Sequence, residues 1–260
     1  MTVWEGALFG LVQGFTEFLP VSSSGHLALF RHLFHLEPSS DVGMEVTVHL
    51  GTLLAVIIFY YKQLFSMGKD ILTQGKWGGQ YCLLLFIGTL PAGVAGLAIQ
   101  DKVETLFNHI SWVGIAWVVL GSVLVVVDRF GEGRLEPVRM GWWRALGVGI
   151  AQMVAIMPGI SRSGATISAA LGLGVERKGA VEFSFLLSIP VIGGAVILTL
   201  WDWKEGRILL GISYLSGLIT SFISGYIAIK VLLKVVSSRN LFWFGVYCLL
   251  LGIVTLLFLG

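Results

Sequence analysis

Apolar positions in this chain gather into long runs instead of recurring at every second or every third to fourth residue. Six runs come close to the roughly 20 residues a helix needs to cross a bilayer: 43–61, 80–99, 110–128, 180–200, 208–230 and 240–259. Short polar connections separate them, such as Lys62 to Gly79 and Arg129 to Gly141. Strands of a membrane barrel would alternate apolar and polar residues instead. The pattern predicts an all-α polytopic membrane protein with six transmembrane helices, built as one integral membrane domain over residues 1–260.

Two further regions are apolar but interrupted. Val3 to Phe34 is broken by Leu19-Pro20-Val21-Ser22-Ser23-Ser24-Gly25-His26, and Trp142 to Leu173 by Met157-Pro158-Gly159-Ile160-Ser161-Arg162-Ser163-Gly164. Each arm is too short to span a bilayer, and non-helical backbone at membrane depth is tolerated only inside protein or beside a wet cavity. Both regions are expected to be re-entrant helical hairpins. They also resemble each other. At an ungapped offset of 139, Trp4 falls on Trp143, Gly10 on Gly149, Gln13 on Gln152, Ser22 on Ser161, Ser24 on Ser163 and Gly25 on Gly164. Each half, about 1–128 and 141–260, then reads as one hairpin followed by three spans. Three is odd, so the halves should form an inverted-topology repeat, an arrangement that puts its binding site near the midplane.

Composition agrees with the membrane reading and excludes other classes. Of the 260 residues 56% are hydrophobic and 12% charged, against about 25% charged in soluble domains. Mean hydropathy is +0.88. A secreted disulfide domain, a nucleic-acid binder and a disordered scaffold are ruled out, and the net charge of +2 implies no anionic macromolecular partner. Cys82 and Cys248 lie in separate apolar runs, which argues against a structural disulfide. The 34 glycines are about twice the usual share and suit close helix packing. Of the 17 Lys and Arg, twelve fall in connections on one side and Arg31, Lys102, Lys204 and Arg207 on the other. The twelve-residue side should be cytoplasmic, with both termini outside.

The seventeenth, Arg162, sits inside the second break. Proline stops one helix in each break and serines are good N-caps for the next. Each break should therefore aim a positive helix N-terminus into the protein, a natural seat for phosphate or carboxylate. Arg162 adds a planar cation suited to phosphate oxygens. Glu17 lies one turn before Pro20 on the face of Gln13, where a buried carboxylate serves as base, metal ligand or partner of Arg162. Ser22, Ser23, Ser24 and His26 set hydroxyls beside an imidazole. Ser23 and His26 are three residues apart, so they can share a face and hydrogen-bond as an activated nucleophile and its base. The other reading is that the serines cap the helix and His26 is a buried hydrogen-bond donor. Weaker candidates are Glu45, His49, Glu182 and Ser184, near the starts of two symmetric spans. His32 and His35, beside Arg31, read as a membrane-surface patch.

Gln13-Gly14-Phe15-Thr16-Glu17-Phe18-Leu19-Pro20-Val21-Ser22-Ser23-Ser24-Gly25-His26 resembles the first signature of the undecaprenyl-diphosphate phosphatase family, the bacitracin-resistance proteins. Pro158-Gly159-Ile160-Ser161-Arg162-Ser163-Gly164-Ala165-Thr166 is similar to the second. The resemblance implies hydrolysis of undecaprenyl diphosphate to undecaprenyl phosphate and phosphate, which recycles the cell-wall lipid carrier. It also implies a divalent cation, Mg²⁺ or Ca²⁺, held at Glu17, in a bacterial inner-membrane site open to the outer face. Glu17, Ser23, His26 and Arg162 match the family's essential residues. Gln13, Ser22, Ser24, Ser161, Ser163 and Thr166 stand beside them as substrate-binding candidates. Gln13 occupies a position where the family carries Glu or Gln, so a two-carboxylate metal site is not available there. The expected partners are the polyprenyl diphosphate lipid, membrane lipids and a second copy of the chain as a homodimer. Bacitracin would be met only through the shared substrate.

Ser24-Gly25-His26 and Ser161-Arg162 also echo pieces of the type-2 phosphatidate phosphatases. No histidine follows His109 to supply that family's nucleophile. Two mechanisms stay open, attack by Ser23 with His26 or Glu17 as base, and direct attack by water. A polyprenyl-phosphate transporter is the rival from another class, since midplane half-helices are also transporter anatomy.

Overall fold

A computed structural model describes residues 2–34, 42–106, 109–129, 133–202 and 211–259. Eleven α-helices account for nearly all of these: α1 (Val3–Phe18), α2 (Ser23–Phe34), α3 (Val42–Phe59), α4 (Tyr61–Leu72), α5 (Lys76–Leu106), α6 (Ile110–Asp128), α7 (Trp142–Val154), α8 (Arg162–Gly172), α9 (Arg177–Asp202), α10 (Ile212–Ser237) and α11 (Leu241–Phe258). Five of them, α5, α6, α9, α10 and α11, are long and apolar enough to cross a membrane, and α3 with α4 makes a sixth as a bent pair. The chain is a polytopic all-α membrane protein.

The connection Lys62 to Gly79 departs from expectation. Most of it is α4, set at 67° to α3. Its apolar residues recur at helical spacing, so Leu64 and Met67 pack on the core while Lys62 and Lys69 stay exposed. Span limits shift too. Helix α5 begins and ends beyond 80–99, and α9 starts at Arg177, which puts Glu182 in its second turn. His35 and the candidate outer-side residues Lys204 and Arg207 lie outside the described residues. His32 is exposed near the end of α2.

The two interrupted regions fold as α1–α2 and α7–α8, with breaks at 19–22 and 155–161. Their surroundings repeat. Helix α1 packs on α10, and its counterpart α7 packs on α5. At the matched positions Gly10 and Gly149 the neighbouring backbone is so near that a Cβ would come within 2.3 Å of Gly217 O and 2.6 Å of Gly88 O. Helices α6 and α11 cross the same way. Gly121 and Gly245 each press on the other's carbonyl, and Gly114 and Gly252 do likewise. Gly114 matches Gly245, and Gly121 matches Gly252, at one offset of 131 residues. Small residues at these seams let backbones approach where lipid gives no hydrophobic drive for association.

The largest apolar cluster joins Ile167, Phe183, Phe185, Leu186, Leu187 and Ile229 with residues of α3 and α5. A second cluster, Val21 with Trp117, Leu120, Leu124 and Cys248, closes over the first break. Six of the nine tryptophans (Trp4, Trp77, Trp142, Trp143, Trp201 and Trp243) are exposed, as interface anchors should be, whereas Trp117 is fully buried.

Candidate active site

The first break shows how irregular backbone survives away from water: each carbonyl from Leu19 to Ser22 has a donor inside the protein. Leu19 O accepts from Ser163 Oγ at 3.2 Å, and Val21 O accepts from Trp117 Nε1 at 2.9 Å. Pro20 O takes the weak Cys248 thiol at 3.7 Å. Ser22 O accepts from the His26 ring at 2.7 Å. Ser22 itself has φ +70°, a left-handed conformation unusual for serine that turns the chain sharply into α2. Its hydroxyl then accepts from Gly25 N at 3.2 Å. In the second break Gly159 carries the positive φ, +86°, and Ser161 caps α8 by accepting from Gly164 N at 3.1 Å.

Both helix starts reach one cavity of about 160 Å³. Ser22, Ser23 and Ser24 line it from α2, and Ser161 and Arg162 from α8. Glu17 and the apolar residues Ala155, Ile156 and Ile160 complete the lining. Arg162 Nη2 donates to Glu17 Oε1 at 3.1 Å, with side-chain exposures of only 12% and 8%. Arg162 Nη1 donates to Ser184 O at 3.1 Å, and the buried Nε has no protein acceptor. The other carboxylate oxygen, Glu17 Oε2, accepts from Ser23 Oγ at 2.7 Å and from Gln13 Nε2 at 3.0 Å. A hydroxyl donating at 2.7 Å to a buried carboxylate has the arrangement that activation of a nucleophile requires.

His26 is not that base in this geometry. Its Nδ1 lies on Ser22 O, a pure acceptor, so the proton must sit on Nδ1, leaving the Nε2 lone pair free in the neutral ring. That lone pair accepts from Tyr247 OH at 2.7 Å, and the two rings stack at 5.8 Å. Trp117 packs edge-on against the same imidazole. Of the two partners open to Ser23, the structure pairs it with Glu17, and His26 pairs with Tyr247. The i, i+3 spacing put Ser23 and His26 on one face, but the left-handed turn at Ser22 swings Ser23 back toward α1.

The remaining hydroxyls knit the breaks together. Ser22 and Ser24 are 3.2 Å apart, Ser161 and Ser163 are 3.0 Å apart, and Ser24 Oγ faces Gly159 N at 3.4 Å. Thr166 meets Ser184 at 2.6 Å, so it braces the carbonyl segment that holds Arg162 and does not line the cavity. His49 Nδ1 donates to Glu45 O at 2.8 Å. Glu45 pairs with Arg31. Glu182 lies apart from the cavity, accepting from Gln63 and Tyr81. Tyr247 escaped sequence reasoning because one tyrosine in an apolar span carries no pattern.

Among the described residues no three His, Cys, Asp or Glu side chains cluster as a metal cage. Among these residues Glu17 is the one carboxylate on the cavity wall; Gln13, hydrogen-bonded to it, is fully buried off that wall, and its Oε1 has no donor. Two hard oxygens of this kind suit a cation that keeps most of its shell from water and substrate phosphate.

Comparison with known proteins converges on one family. The model of the family described as bacitracin resistance protein BacA matches residues 6–254. An undecaprenyl-diphosphatase of Desulfosudis oleivorans is 39% identical over 267 residues, covering 97% of each chain. One of Carboxydothermus hydrogenoformans is 39% identical over 260 residues, covering 98% of this chain and 97% of its own. One of Methanococcus vannielii is 35% identical over 255 residues, covering 98% of this chain and all of its own. With its two signatures meeting in a single cavity and its length matched end to end, the chain belongs to the bacitracin resistance protein BacA family.

Proposed function

We propose that this protein is an undecaprenyl-diphosphatase, cleaving undecaprenyl diphosphate to undecaprenyl phosphate and inorganic phosphate and so recycling the cell-wall lipid carrier. The observation that carries the reading is the convergence of Glu17, Ser23 and Arg162, from two separate breaks, on one cavity. Arg162 and the two helix N-termini hold the diphosphate and stabilise charge on the transferring phosphoryl group. Ser23 Oγ attacks the terminal phosphorus and its proton passes to Glu17 Oε2. The bond to the bridging oxygen breaks, and Glu17 yields the proton to the departing polyprenyl phosphate. Glu17, ionised again, takes a proton from the water that attacks phosphoserine and returns it to Ser23 Oγ. His26, held by Ser22 O and Tyr247, fixes the turn that presents Ser23.

Glu17 and Gln13 Oε1 would hold a divalent cation such as Mg²⁺ or Ca²⁺, which when bound neutralises diphosphate charge. The two broken regions act as re-entrant hairpins of an inverted repeat in a bacterial inner membrane. The Lys/Arg asymmetry of the connections supports an outward-facing site. Bacitracin resistance follows from removal of the diphosphate form that the antibiotic binds.

Phosphate release by purified protein in detergent, with undecaprenyl diphosphate and Mg²⁺, tests the activity where vectorial movement has no meaning. Release is expected. None, with either cation present, would turn the assignment toward a polyprenyl-phosphate transporter.

A further inference from the structure

One matched pair of the two repeats, Glu17 and Ile156, faces the same cavity with opposite chemistry. At the repeat offset of 139, Glu17 corresponds to Ile156, Val21 to Ile160 and Ser23 to Arg162. Glu17, Ser23 and Arg162 give the cavity lining its charge and polarity, while Ala155, Ile156 and Ile160 are its apolar members. The halves also differ in exposure. Val21 is buried beneath Trp117, 4% exposed, whereas Ile156 and Ile160 remain partly open. A site for a purely ionic ligand gains nothing from open aliphatic side chains at the position where its partner half supplies a carboxylate.

We infer that Ile156 and Ile160 seat the first isoprenoid units of the substrate, and so set the preference for a prenyl diphosphate over a short one. This rests on the phosphatase reading and names the part of the site that reads the lipid. Exposed aliphatic side chains also precede Ile156 on the same arm. Val154 and Ile150, one turn apart on α7, are 49% and 47% exposed. A prenyl chain whose diphosphate meets Arg162 runs over Ile156 and leaves along Val154 and Ile150, burying methylenes that a short diphosphate lacks.

The test is the ratio of kcat/KM for farnesyl diphosphate to that for isopentenyl diphosphate, measured by phosphate release in detergent. The wild type favours farnesyl diphosphate. Ile156→Asn lowers that ratio about tenfold, the scale of losing two buried methylenes. Ile156→Ala lowers it less and Ile156→Leu retains it. Melting temperatures of the Ala and Leu variants check that the fold is kept. No preference in the wild type, or equal losses on both substrates in Ile156→Asn and Ile156→Ala, overturns the inference. No release from either substrate by the wild type would sink the phosphatase reading instead.

Discussion

Removing the guanidinium of Arg162 should damage the protein twice, and the two damages can be separated. Arg162 and Glu17 form an ion pair at 3.1 Å with side chains 12% and 8% exposed. Breaking such a pair from one side costs roughly 3–5 kcal/mol, because a buried charge is left behind. Glu17 would keep donors from Ser23 at 2.7 Å and Gln13 at 3.0 Å. That puts Arg162→Met near the low end, about 3 kcal/mol. For a chain of this size the figure corresponds to a melting midpoint lower by roughly 6–12 °C. Adding Glu17→Gln removes the stranded charge and keeps an oxygen for Ser23 and Gln13, so most of the loss should return in the double variant. Activity should not return. Loss of the phosphate clamp or of the base costs at least about 100-fold, and the double variant lacks both. Thermal melting in detergent and phosphate release on the same three preparations read the two effects. A double variant that melts as low as Arg162→Met alone, or one with substantial turnover, would refute the reasoning.

Two further outcomes follow from the geometry. Tyr247→Phe removes the donor to His26 Nε2 while leaving the stacked ring, and should lower kcat about 5-fold, the worth of one hydrogen bond of about 1 kcal/mol, with KM unchanged; steady-state kinetics check it. Gly121→Ala would put a Cβ 2.6 Å from Gly245 O and 2.8 Å from Leu249 N, forcing α6 from α11 at a cost of about 1–3 kcal/mol. Its melting midpoint should fall while turnover per folded molecule stays at the wild-type level.

Much of this architecture is legible in the sequence because hydrocarbon imposes simple rules. Runs near 20 apolar residues mark the spans, and Pro20 and Pro158-Gly159 followed by serines mark the breaks. The charges flanking the breaks, Glu17 and Arg162, stand out because so few others lie in apolar surroundings. Helix α4 was hidden by its own charges, since Lys62, Lys69 and Asp70 make it read as a connection unless its helical period is followed. The partner of Ser23 was less legible. Helical spacing links Ser23 to His26, whereas Ser23 and Glu17 meet across a left-handed turn at Ser22 that no periodicity encodes. His26 finds Tyr247 at a separation of 221 residues, a tertiary contact that no local spacing foretells.

The central claim is that Ser23, held by Glu17, attacks the diphosphate bound at Arg162. Phosphate release from undecaprenyl diphosphate by purified Ser23→Ala, set against the wild type under identical conditions, tests it most directly. A fall of at least about 100-fold with the melting temperature preserved is the predicted result. Turnover close to that of the wild type would contradict it and assign the attack to water.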